Sequence, residues 1–213
     1  MIKMIEFRVR ISNDSSYGIL FHNNRVVDPL DSFTRYFKTH PVNSKSSDEQ
    51  YRENYMLQWY AGLYTNHQIE YDSEDGIMIE NGTEIIIPQK MLQTAFRRGA
   101  SQLNRLGKKF SAGCLVSGDS KLKHKHSSKS IRDLCGLCSQ IDVVKIGMGS
   151  KIIRCRPHFV GWESEVTIKI NESVINPKDV FDAIKLSGIC CGIGDWRPEK
   201  SGVYGQFDVE EIA

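Results

Sequence analysis

No apolar run in the 213 residues approaches the ~20 that a membrane span needs, and the opening MIKMIEFRVRIS alternates where a secretory leader would carry an unbroken apolar core. A soluble, cytoplasmic chain with no membrane partner is the expectation. The six cysteines then read as reduced thiols, which the cytosol maintains. Charge of one sign is also scarce: 28 basic against 26 acidic residues leave +2, so the total does not announce a nucleic-acid binder. No internal repeat is present, and no P-loop, G-x-S-x-G or H-E-x-x-H, which removes the familiar nucleotide-hydrolysing, serine-hydrolase and zinc-protease frames. What remains is ordinary globular composition, 40% hydrophobic and 25% charged. The length suits one domain, 1–213, enlarged by an insertion.

Periodicity supplies the elements. KMIEFRVRI at 3–11 puts Ile5, Phe7, Val9 and Ile11 on one face, which is a half-buried strand. Residues 12–84 read as the insertion, with a short helix in VVDPLDSFTRYF capped at Asp28 or Asp31, a flexible tip at SKSSDEQ, and a second helix over 50–60. Ile-Ile-Ile-Pro at 85–88 leads into a helix carrying Met91, Leu92, Ala95, Phe96, Ala100, Leu103 and Leu106, with Gly107 as its stop. A short strand from Cys114 becomes a basic, serine-rich loop at 118–130, followed by a short helix near 130–138. Extended segments follow at 143–148, 152–157 and 165–170, the first two joined by a hairpin turn in GMGSK. A helix from Asn176 to Gly188 and a last strand in YGQFDVEEI complete the chain. The order implies an α+β fold: an elaborated ferredoxin-like (RRM-like) antiparallel sheet with two packed helices and a helical insertion after the first strand.

Two regions stand out chemically. Between 97 and 132 stand Arg97, Arg98, Arg105, Lys108, Lys109, Lys121, Lys123, Lys125, Lys129 and Arg132 against Asp119 alone, a local positive field or a solvated helix face followed by a surface loop. GIGDWRPEKSGVYGQF at 192–207 brackets Trp196, Arg197 and Lys200 with Gly192, Gly194, Gly202 and Gly205. Glycines permit positive φ and close backbone approach, so such a ribbon can offer bare amides to phosphates while the guanidinium forks and the indole stacks. The alternative is a hairpin whose tryptophan is core. RCRPHFVGWE, at 154–163, adds Arg154 and Arg156 on one strand face, with Phe159 and Trp162 read as core.

IIIPQKMLQTAFRRGA resembles the strand, proline, leucine, helix and arginine signature of the RAMP superfamily, the guide-RNA-binding proteins of CRISPR effector complexes, and GIGDWRPEKSGVYGQFDV resembles its glycine-rich loop and final strand. The resemblance covers about 85–107 and 150–210. It implies an RRM-like core, recognition of single-stranded RNA through its backbone, head-to-tail assembly, and an RNA path lined by Arg97 or Arg98 with Gly192, Gly194, Arg197, Gly202 and Gly205. No thumb segment is evident, and a stand-alone relative carried by a phage or other mobile element suits the size.

The expected function is therefore a single-stranded RNA or DNA binder that assembles along the strand as a homo-oligomer or as part of a CRISPR-like complex, without cofactor or metal and without catalysis. Two alternatives stand beside it: a metal-independent endoribonuclease of the same fold, with His22, His40, His124, His126 or His158 as acid or base, and a CRISPR-subunit mimic that binds a host complex. Cys135 and Cys138 form a C-x-x-C, but the adjacent Cys190 and Cys191 point to opposite sides of an extended chain and make a poor second half for a zinc site.

Overall fold

The computed structural model describes residues 4–43, 45–103, 105–146 and 150–212. In chain order its elements are β1 (Met4–Asn13), β2 (Ile19–Leu20), α1 (Ser32–Thr39), α2 (Asp48–Gly62), β3 (Glu70–Asp72), β4 (Gly76–Met78), β5 (Ile86–Ile87), α3 (Gln89–Gln102), α4 (Gly107–Gly113), β6 (Cys114–Val116), β7 (Ser120–Lys121), α5 (Ile131–Leu134), β8 (Ser139–Ile146), β9 (Ser150–Phe159), β10 (Trp162–Asn171), α6 (Pro177–Cys190) and β11 (Asp208–Ile212). Short 3-10 turns lie at Asn24–Val27 and Pro198–Lys200. The fold is α+β. No helix among the described residues is long and apolar enough to cross a membrane.

The chain forms two compact units, one of Met1–Ile19, Ile86–Lys125 and Phe159–Ala213, the other of Leu20–Ile85 and His126–His158. The first is built on a four-stranded sheet in the order β11-β1-β10-β6, antiparallel throughout. Period-2 alternation divides its faces. Val9 and Ile11 of β1 and Val166, Ile168 and Ile170 of β10 are buried on one of them. There Phe181 of α6 meets Phe7 edge-on, with ring centroids 5.9 Å apart. α3 packs along α6 and buries Leu92, Ala95, Phe96 and Ala100. Gln93 of α3 ties itself to β6, donating to the Cys114 carbonyl (3.0 Å) and accepting from the Val116 amide (2.8 Å). Asp119 accepts from the Gln89 amide at the start of α3 (2.7 Å), so the lone acid of the basic stretch holds a helix end.

The opposite sheet face is charged, with several of its ions paired across strands. Arg8 pairs with Glu165 and Arg10 with Glu210 and Glu163, while Lys123 reaches Glu163 and Glu165. No aromatic side chain interrupts the run Glu6, Arg8, Arg10 on β1 or Glu163, Glu165, Thr167, Lys169 on β10. This face therefore lacks the ring platform on which an RRM sheet stacks bases.

The second unit pairs β8 with β9 antiparallel, in a sheet ordered β2-β9-β8. Trp59 of α2 is fully buried and donates its indole N–H to the Cys138 carbonyl at 2.7 Å. Of the two candidate caps for α1 it is Asp31 that serves, accepting from the Phe33 and Thr34 amides.

Several local expectations are corrected. SKSSDEQ is not merely a flexible tip: Ser47 and Gln50 form a capping box that starts α2 at Asp48. Gly107 does not stop α3, which ends at Gln102; it opens α4 instead. Gly188 does not terminate α6, which runs on to Cys190, because the residue is needed inside the helix where the Phe207 carbonyl crosses and leaves no room for a Cβ. The final strand begins at Asp208, not Tyr204. The basic loop is also less irregular than its composition suggests, since β7 pairs with β5 and Lys123 bridges Glu163. The proposed GMGSK turn falls mainly on 147–149, outside the described residues.

Candidate nucleic-acid interface

The segment between α6 and β11 is a self-bonded loop. Gly192, Gly194 and Gly205 take positive φ, as their residue type foretold, and so do Trp196 and Ser201. The expected bare ribbon is corrected, however, because much of its backbone is already engaged. The Ile193 amide donates to the Gly205 carbonyl (2.8 Å), Gly202 to Arg197 (3.0 Å), and Gly205 to Gly18 beyond β1 (2.7 Å). The Gly194 amide points at the Met91 sulfur on α3 (3.3 Å). The glycines are there first to let this loop close on itself: a Cβ on Gly202 would overlap the Trp196 carbonyl, and one on Gly205 the Ile193 carbonyl.

Arg197 is part of that closure. Its guanidinium donates to the Gly194 carbonyl (2.9 Å) and to Glu199 Oε2 through Nη2 (3.0 Å) and Nε (3.2 Å). Arg98 of α3 pairs with the same Glu199 oxygen. Two guanidinium groups thus share one carboxylate, and Arg97, Arg98, Arg197 and Lys200 outnumber Asp195 and Glu199 in these two stretches. Arg97 and Lys200, beside them in sequence, are exposed.

Trp196 is not core. It is 46% exposed, with the half-buried Tyr204 6.0 Å away; Tyr17, which is 53% exposed and follows β1, lies 6.4 Å from Tyr204 on its other side. Two rings of the loop and one from the turn after β1 therefore stand in a row. Tyr17 and Tyr204 carry no shared local signal, being 187 positions apart; the pairing of β1 with β11 and the bond from Gly205 to Gly18 bring them together. Phe159 and Trp162 are core residues, 0% and 1% exposed, as their strand context indicated.

The remaining nominated cations lie elsewhere. Lys121 and Lys125 are exposed, whereas Lys123 is held above the ordinary lysine value by its hydrogen bond to Glu163 and then by the charges of Glu163 and Glu165. Arg154 and Arg156 belong to the second unit. Their shared strand face was read correctly, but it points inward: Arg156 is only 5% exposed and bonds Asp142 at 3.0 Å. A buried, paired guanidinium of this kind holds β9 to β8 and is not presented to a phosphate.

No protein-family model and no curated protein matches the chain.

Three of the histidines considered for catalysis have neighbours that the structure identifies. His124 lies against the Phe159 ring at 4.7 Å, His40 stacks on Tyr36 at 4.4 Å, and the His158 amide donates to the Cys138 carbonyl. Among the thiols, burial raises Cys135 and Cys138 to about 11 and Cys114 to about 12, which keeps all three protonated at neutral pH. Cys190 is exposed and Cys191 buried; the extended chain expected here is corrected, since Cys190 ends α6 and Cys191 is its C-cap.

Proposed function

We propose that the protein binds single-stranded RNA, or single-stranded DNA, through the ring row Trp196–Tyr204–Tyr17 and the cations around it, without acting on the strand chemically. The order β1-α3-β6-β10-α6-β11, with its sheet order β11-β1-β10-β6, supports a ferredoxin-like reading of the first unit and, with the two motifs quoted above, kinship with the RAMP superfamily. The observation that carries the function is a row of three rings, exposed at Trp196 and Tyr17 and half-buried at Tyr204 between them, beside a cluster in which cations outnumber acids. Bases of any sequence stack on rings, and phosphates answer the cations. Assembly of copies along one strand, alone or within a CRISPR-like complex, belongs to the same proposal.

Arg98 and Arg197 are held by Glu199, an internal anion standing where a phosphate would compete. Substituting Glu199→Gln is therefore expected to raise affinity for a short single-stranded RNA and to steepen the slope of log Kobs against log salt by about 0.7–1.4, the release expected from one or two added phosphate contacts. Fluorescence anisotropy across a salt series reads both. An unchanged slope in a variant that melts like the wild type would contradict the assignment of these guanidiniums to the strand.

A further inference from the structure

The second unit contains a cavity of about 660 Å³ that the strand-binding reading does not use. It opens between α1, α2 and β9, with Lys38 contributed by the first, Tyr51, Asn54, Tyr55 and Gln58 by the second, and Lys151 and Arg154 by the third. Helical spacing explains the α2 set, since positions 51, 54, 55 and 58 fall on one face. The volume lies within the range of small-molecule sites, roughly 300–1,000 Å³.

Its chemistry is one-sided. Three cations and His22 line it, and no carboxylate does. Asp142, which stands opposite Arg154 in the β8/β9 register, gives its carboxylate to Arg156 instead. Arg154 makes no ion pair among the described residues; burial, and secondarily the charge of Arg156, pull it below the ordinary arginine value. A guanidinium left unpaired in a half-buried wall calls for an anion from outside. Phe37, Tyr51 and Tyr55 supply apolar ring surface in the same cavity.

A second observation concerns Thr34. It is 6% exposed, lines the cavity, and its Oγ1 has no hydrogen-bond partner. Its backbone amide is bonded to Asp31, so the hydroxyl alone is left over. A buried hydroxyl without a partner is destabilising, a penalty that a ligand with a donor or acceptor at that point would remove. Gln58, on the same wall, is oriented by its neighbours, donating to Asn54 Oδ1 (2.5 Å) and accepting from the Cys155 amide (2.9 Å).

We infer that this cavity is a binding site for one nucleoside monophosphate unit, its phosphate met by Arg154, Lys38 and Lys151, its base laid against Tyr51 and Tyr55, and a polar base or sugar atom bonded to the Thr34 hydroxyl. The unit can arrive as a free nucleotide or as the 5′-phosphorylated end of a strand. The site stands independently of the Trp196 loop.

Calorimetric titration of the full chain with AMP, GMP, CMP and UMP, with adenosine, with inorganic phosphate, and with a short RNA carrying either a 5′-phosphate or a 5′-hydroxyl tests this. Binding of at least one monophosphate, or of the phosphorylated strand in preference to the hydroxyl strand, is expected. Inorganic phosphate and adenosine should each bind at least about tenfold more weakly than the monophosphate, since each makes only part of the contacts. Arg154→Gln should weaken the monophosphate by about tenfold or more, the scale of one charge-assisted contact. Lys151→Gln, at an exposed position, provides a second variant should Arg154→Gln fail to fold. Thr34→Val should lower affinity while leaving the melting temperature unchanged or higher, which a merely structural hydroxyl would not do.

Monophosphate binding alone marks a free nucleotide as ligand, and preference for the phosphorylated strand alone marks the strand end. No binding in either arm, phosphate binding as tightly as the nucleotide, or affinities indifferent to Arg154→Gln and Lys151→Gln in folded protein would overturn the assignment. Trp196→Ala should leave monophosphate binding intact, so failure at the loop and failure at this cavity are told apart.

Discussion

Trp196→Ala is expected to weaken single-stranded RNA binding by ~1–3 kcal/mol, about five- to 150-fold, the worth of one base stacked on a ring. The indole is 46% exposed and touches only one neighbouring ring, so its removal opens no core cavity and the melting temperature should barely move. Trp162→Ala provides the contrast: that ring is 1% exposed within the first unit, and truncation should cost ~3–5 kcal/mol of stability. Anisotropy and thermal melts on both variants separate a binding ring from a packing ring. Equal RNA affinity for Trp196→Ala and wild type would remove the loop from the interface.

The second large effect is on folding. Gly205 sits at φ +70°, a region L side chains enter only with strain, and a Cβ there would overlap the backbone carbonyl of Ile193. Backbone cannot yield as a flexible side chain can. The Gly205 carbonyl also accepts from the Ile193 amide and its own amide donates to Gly18, so displacement would release both bonds and part Tyr17 from Tyr204. Gly205→Ala should therefore destabilise by about 2–3 kcal/mol, a fall of ~4–12 °C in melting temperature, and weaken RNA binding at the same time. Gly82→Ala is the control. Its φ is +82° with nothing near the added Cβ, so only the dihedral strain, about 1 kcal/mol, should be lost. Equal melts for the two alanine variants would show that the loop closure is not what Gly205 secures.

Local signals carried the sequence reading a long way. Alternation located β1 and its buried face, Asn176 and Pro177 announced α6, and Asp31 was a correct cap for α1. Where the reading failed, a long-range contact had overruled a local rule. Glycine after an apolar helical run is ordinarily a stop, yet Gly188 lies inside α6 because the Phe207 carbonyl, just before β11, crosses it. The same applies to the site. Glycine spacing showed that the 192–205 loop is special, but not that its amides are consumed internally, nor that Arg197 closes the loop on Glu199 and Gly194. Arg156 looked like a surface cation because its β-strand alternation was legible while its partner Asp142, on another strand, was not. Tyr17 had no local signal at all.

Titration of a fluorescently labelled single-stranded RNA with the wild-type protein, at salt concentrations from about 50 to 200 mM, tests the central claim most directly. Binding at low salt, a linear fall of log Kobs with log salt, weaker binding to the matched duplex, and loss of affinity in Trp196→Ala are the predicted results. No binding at the lowest salt, or binding that ignores both salt and Trp196, would contradict the assignment of this loop to a nucleic-acid strand.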